Sequence, residues 1–163
     1  MDPGSRATGY GLIQPDGSRL RYERSGVISP RPSLSFPDRL LAVYDGLSRL
    51  LSELCPDEVA VETAFVRKSA HSALQIGHVR GVILLAARQS GAAVFEYTAP
   101  EVKQAVVRQG AAAKEQVAFM VRRLLPGVGV LREDEADALA VAVCHAHRAA
   151  HRGILRAAAG GSR

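Results

Sequence analysis

Short apolar runs, interleaved with longer segments whose apolar residues recur every three or four positions, predict a single α/β domain. An Asp-Gly hairpin signal lies near the N-terminus, EVAVET and AAVFEYT read as later strands, and capped amphipathic segments separate and follow them. At 163 residues with 47% hydrophobic content, the chain has enough apolar material for one core.

From Thr8, the runs TGYGLIQ and RLRYERSGVIS flank a turn at Pro15, Asp16, Gly17 and Ser18, the pattern of a two-stranded hairpin. Pro30, Pro32 and Ser33 form a connector. Ser35 then caps a helix on which Leu40, Tyr44, Leu47, Leu51 and Leu54 share a face, and Pro56 stops it. Val59 and Val61 make EVAVET a buried strand ending at Glu62, and strand ends are where α/β folds place ligands. The piece FVRKSAHS reads as exposed or flexible and leads into a helix near 73–90, ended by Gly91.

AAVFEYT is the next strand. Thr98 and Glu101 form a capping box with Pro100 in the first turn, opening a helix that ends at Gly110. In KEQVAFMVRRLL, Val117, Met120, Val121, Leu124 and Leu125 lie on one helical face, and Pro126 to Gly129 make a loop. The last helix begins around Glu133 to Glu135, where acids suit a positive helix N-terminus, and runs through ADALAVAVCHAHRAA. The domain is expected over 1–153, with 154–163 a frayed tail. Three or four strands and four or five helices are expected in all.

Lys and Arg number 21 against 16 Asp and Glu, a formal charge of +5 that favours a polyanionic partner. The run GVILLAA at 81–87 is too short to span a bilayer and no apolar leader precedes it, so a cytoplasmic location is expected. Cys55 and Cys144 are distant and unpatterned, as reduced thiols are. Cys144, His147 and His151 fall on one helical side, but without complementary loop ligands they read as part of a basic helix end, His145 included, rather than as a zinc site.

Four acids carry the chemistry: Asp2 in MDPGSRATGYG, Glu62 closing EVAVET, and Asp134 with Asp137 in EDEADALAVAV. Each lies beside strongly apolar residues, where an uncompensated carboxylate costs several kcal/mol, and a shared cation is the economical compensation. Hard divalent ions such as Mg²⁺ take oxygen ligands, often carboxylates together with substrate phosphate. Asp134 and Asp137 are three apart and so share a helical face. Taken singly, each acid also fits an ordinary role: dipole complement, strand-end carboxylate or turn residue.

Together these stretches resemble the RuvC-type Holliday junction resolvases, of the ribonuclease H-like nuclease superfamily. The likeness runs from Asp2 to about His147 and is carried by DPGSRATGYG, AVETAF, SALQIGHVRGV, FEY, VKQAVV, KEQV, MVRRLL and DEADALAVAVCHAH. It implies a ribonuclease H-like fold, a mixed five-stranded sheet flanked by helices. It also implies catalysis by Asp2, Glu62, Asp134 and Asp137 holding two Mg²⁺ ions, with Mn²⁺ able to substitute, and products with 5′ phosphates. The likeness further implies DNA contacts at Lys103 and Lys114, stacking by Phe65 near the junction crossover, and a homodimer acting on four-way junction DNA, with RuvA and RuvB as a possible branch-migration motor.

The family has a short apolar strand ahead of its first aspartate, whereas only Met1 precedes Asp2 here. The expectation is therefore a truncated first strand, with Asp2 on a fraying terminus and its neighbours' backbone groups exposed. Two other functions compete with junction cleavage: junction binding without cutting, and an RNA-directed nuclease of similar fold.

Overall fold

The computed structural model describes residues 1–4, 6–17, 19–63, 70–110 and 112–160, with side chains to position 152. In chain order the elements are β1 Thr8–Asp16, β2 Arg19–Ile28, α1 Phe36–Leu54, β3 Glu58–Thr63, α2 Ala70–Gln89, β4 Ala93–Thr98, α3 Ala99–Val107, α4 Lys114–Leu124 and α5 Glu133–Gly160. No described helix is long and apolar enough to cross a membrane.

β1 and β2 form the expected antiparallel hairpin, turning at Gly17 with φ +58, and a bulge falls between Leu12 and Ile13. β3 and β4 are parallel, with α2 as the connecting helix. The resemblance implied one five-stranded sheet; the described residues instead hold two two-stranded ladders. Met1 and Asp2 join them. The Met1 amino group donates to the Ala60 carbonyl at 2.8 Å and Glu62 N donates to the Met1 carbonyl at 3.1 Å, while Asp2 and Gly9 exchange two backbone bonds of 3.0 Å. Met1 is thus parallel to β3 and antiparallel to β1, in the place of a central strand. Asp2 is held by Gly9 on one side and, through Met1, by β3 on the other, rather than fraying.

Local sequence signals hold at the helix ends. Ser35 accepts from Asp38 N at 3.3 Å, and Cys55, in a left-handed conformation, closes α1 by donating to the Leu51 carbonyl at 2.9 Å. Thr98 and Glu101 make the reciprocal capping box, with Thr98 N donating to Glu101 Oε2 at 2.7 Å. Three departures stand out. α3 ends at Val107, closed by Arg108 in a left-handed conformation, ahead of the expected end at Gly110. α2 begins at Ala70, ahead of the expected start near 73, and α5 continues to Gly160, past the expected break at Gly153, through an alanine-rich run with high helix propensity.

Helices cover both faces of the joined ladders. Val59 and Val61 of β3 pack with Val43, Leu47, Leu51, Val79 and Ile83 of α1 and α2, whereas Ala60 faces Val102, Val121, Leu139 and Val143 of α3, α4 and α5. Alternate burial on two faces explains the near-continuous apolar run of β3. The stripe on α1 also shifts by one position: Val43 is fully buried and Leu40 and Tyr44 only partly so.

Candidate functional site

Asp2 and Glu62 are neighbours because the Met1 ladder sets them side by side on parallel segments. The start of α5 reaches them because β1 carries no side chain at Gly9: a Cβ there would lie 2.0 Å from the Asp134 carbonyl oxygen. Gly11 does the same one step along, where a Cβ would lie 2.5 Å from Leu139 Cδ2. The GYG spacing is therefore what lets α5 lie directly on β1 and bring Asp134 and Asp137 to Asp2.

The acids sense one another. Burial, with the charges of Asp137 and Asp134 added, pushes the Asp2 carboxyl up to about 6, the Met1 ammonium and Lys114 partly opposing. Burial likewise pushes Glu62 up to about 7, helped by Asp2 and Asp137. Burial pulls the Met1 amino group down to about 6, and Asp2 and Glu62 offset only part of that. Among the described residues, however, no group of three or more His, Cys, Asp or Glu side chains converges at ligating geometry. Lys114 accounts for part of this. Its Nζ donates to Asp137 Oδ2 at 2.9 Å and to Glu133 Oε1 at 2.6 Å, and these contacts outweigh its own desolvation and hold its ammonium well above the usual lysine range. Asp137 is thereby drawn toward a cation of the chain itself.

The donor set is nevertheless all carboxylate oxygen, partly buried and mutually repelling, which is the chemistry that suits a hard divalent ion. Thr8, on the same strand edge, is fully buried, and its Oγ1 is without a hydrogen-bond partner among the described residues. Glu135 serves structure rather than the cluster, accepting from Arg132 N at 2.9 Å and from Ser25 Oγ at 3.1 Å.

The predicted nucleic-acid residues are placed unequally. Lys103 donates to the Ala112 carbonyl at 2.7 Å, bracing the segment between α3 and α4, and Lys114 sits among the acids. Phe65 lies outside the described residues. His145, read from sequence as part of a basic helix end, is instead buried: its Nε2 donates to Glu58 Oε2 at 2.6 Å and its Nδ1 accepts from the Tyr97 hydroxyl at 2.8 Å. Its partners lie far off in sequence, so no local signal marks it. Cys144 is buried, its thiol raised to about 11 by desolvation, and the exposed His147 turns to the Ala105 carbonyl at 3.3 Å.

The sequence profile of the family described as crossover junction endodeoxyribonuclease RuvC matches residues 1–145. The chain belongs to the RuvC family. Relatives of that name include those of Acidiphilium cryptum, 51% identical over 150 residues covering 92% of this chain and 90% of the relative, and of Syntrophotalea carbinolica, 54% identical over 147 residues covering 90% and 91%. Among solved structures, Thermus thermophilus RuvC in complex with Holliday junction substrate superposes with a TM-score of 0.84 at 34% identity, covering 91% of each chain. The yeast mitochondrial Holliday junction resolvase, at a TM-score of 0.62 and 13% identity over 95% of this chain and 82% of its own, shares the fold. The mixed α/β, ribonuclease H-like architecture expected from sequence is thus the one found.

Proposed function

We propose that this chain is a structure-selective endonuclease that resolves four-way DNA junctions by divalent-metal-dependent phosphodiester hydrolysis. The observation that carries this reading is the electrostatic coupling, within a RuvC-family fold, of Asp2 to Asp134 and Asp137 and of Glu62 to Asp2 and Asp137.

Asp2, Glu62, Asp134 and Asp137 would hold two Mg²⁺ ions, or Mn²⁺ in their place. When bound, the ions supply activation of a water and stabilisation of the departing 3′ oxygen. The remaining work belongs to the chain. The ladder around Met1 fixes Asp2 against Glu62, and the start of α5 carries Asp134 and Asp137 three residues apart near its positive end. Lys114, which donates to Asp137 in the free protein, would be one phosphate contact. Lys103 is the second phosphate contact and Phe65 the side chain that stacks at the crossover.

A two-fold junction suits a homodimer, with one site on each opposing strand and 5′-phosphate nicks as products. The nuclease unit is residues 1–153, and a branch-migration motor of the RuvA and RuvB type is the partner that family membership supports. One observation favours the second reading, junction binding without cutting: Lys114 is bonded to Asp137, and no three acids converge at ligating geometry among the described residues.

Incubation with a mobile four-way DNA junction and Mg²⁺, alongside linear duplex and RNA hybrid controls, decides among these. Symmetric nicking of the junction alone is expected. Binding without nicking would establish the second reading, and preferential cutting of the hybrid would replace both with an RNA-directed nuclease.

A further inference from the structure

The bare backbone at Gly9 and Gly11 lets α5 come close to β1, but a surface without side chains does little to fix how the helix is turned about its own axis. That turn matters for the acids. At about 100° per residue, Asp134 and Asp137 leave α5 about 100° and 160° to the same side of Glu135. A carboxylate about 6 Å from the axis moves about 1 Å for each 10° of rotation. A misplacement of that size costs on the order of a hundredfold in rate. The first large side chain of α5 buried in the core is Leu139, so the packing of large side chains takes hold only past both acids.

Glu135 grips the helix ahead of that point. Its Oε2 accepts from Arg132 N at 2.9 Å, while Ala136 N donates to the Arg132 carbonyl at 3.0 Å, so Arg132 is the N-cap and Glu135 supplies half of a capping box. Its Oε1 accepts from Ser25 Oγ of β2 at 3.1 Å. Ser25 has one hydroxyl proton, so the Tyr22 hydroxyl, 3.1 Å away, donates to Ser25 in turn. Tyr22 packs against the core cluster shared by α3, α4 and α5, and Ser25 pairs across the hairpin with Gly11, the residue that Leu139 overlies. Glu135 and Leu139, four apart on one ridge, therefore both rest on the Gly11–Ser25 pair. The side-chain tie from Lys114 ends on Glu133 and on Asp137 itself, so it competes for one of the acids it would place.

We propose that Glu135 is a positioning residue of the carboxylate site: by tying the first turn of α5 to Ser25 of β2, it sets the rotation of the helix and so the aim of Asp134 and Asp137 at a shared divalent ion. The inference rests on the reading of those two acids as metal ligands. Glu135 acts through them, with both of its own oxygens held by donors of the chain. A glutamine in its place keeps an oxygen for Arg132 N and offers its amide to Ser25, so the tie survives loss of the charge.

The test compares the full chain with Glu135→Ala, Glu135→Gln, Ser25→Ala and the double alanine variant, well below the melting temperature of each. Mn²⁺ affinity is measured by calorimetry without DNA, amide exchange is followed across 134–138, and steady-state nicking of a four-way junction separates kcat from KM. Glu135→Ala should weaken Mn²⁺ binding by about tenfold, speed exchange, and lower kcat by about 10- to 100-fold with KM unchanged. Glu135→Gln should return Mn²⁺ affinity and kcat to within about threefold of the parent. Ser25→Ala should shift both in the same direction by a smaller factor and add nothing in the Glu135→Ala background, because the two side chains form one tie. A residue that only stabilised the fold would lower melting and leave Mn²⁺ affinity and kcat in place, which overturns the proposal. So does a Glu135→Gln variant as defective as Glu135→Ala, since the charge would then be the requirement, and so do losses from Ser25 and Glu135 that simply add. If Glu135→Ala does not fold, an unchanged Mn²⁺ affinity in Ser25→Ala overturns it alone. A parent that binds Mn²⁺ with the expected order of variants but nicks no junction would sink the nuclease reading and leave this one standing.

Discussion

Glu62 and Asp2 each bind their proton more tightly in the fold than in the unfolded chain, and burial is the main cause in both. For Glu62 the sign is clear: stability available below its ordinary value of 4.5 is lost as pH rises through the folded value of about 7. Glu62→Gln removes that loss. In chelator the variant should melt with the parent at pH 5 and a few degrees above it at pH 8, and Mg²⁺ at pH 8 should raise the parent alone. A parent that melts identically with and without Mg²⁺ at pH 8 would remove Glu62 from the ligand set. In cleavage, Glu62→Gln or Asp134→Asn should lower the initial rate by at least roughly a hundredfold, because metal ligation supplies several kcal/mol, while gel-shift affinity for the junction persists. Lys103→Ala and Lys114→Ala should each flatten the salt dependence of binding by about 0.9 in the log–log slope, whereas Phe65→Ala should slow cutting with the slope unchanged. If neither lysine variant changes the slope, those side chains act only through Ala112, Glu133 and Asp137, the contacts they make in the free protein.

At the level of elements, two features place the acids. One is the bare backbone of β1 at Gly9, where added side-chain bulk would meet the carbonyl of Asp134. Gly9→Ala should force α5 away, costing about 1–3 kcal/mol of stability and most of the cleavage, measured by denaturant unfolding and junction nicking together. The other is the two-residue segment that bridges the hairpin to β3. Its four backbone bonds hold Asp2 firmly, yet the edges of β1 and β3 beyond Met1 remain without a strand partner among the described residues. A chain carrying about six apolar residues immediately ahead of Asp2 should melt higher and cut a junction faster than the present one, because those edges gain partners. Equal melting and equal cutting would mean that Met1 and Asp2 suffice.

For the molecule as a whole, nearly every element was legible in the sequence, and so were the helix caps at Ser35 and Thr98. Caps, turns and stripes depend on residues a few positions apart: Ser35 with Asp38, Thr98 with Glu101, Gly17 in its turn, Leu47 with Leu51. Such neighbours meet whatever the rest of the chain does, so their pattern could be read before any fold was known. The resemblance supplied the roles proposed for Asp2, Glu62, Asp134 and Asp137, which spacing alone left open to ordinary readings. What only the tertiary structure decided involves partners far apart in sequence: Met1 on Ala60, Lys114 on Asp137, and His145 between Glu58 and Tyr97. It also decided the shift of the buried stripe on α1 to Val43. These depend on which surfaces approach within a few ångströms once helices pack against strands. Local periodicity carries no information about that distance, because it says which face of an element is apolar and not what that face will meet.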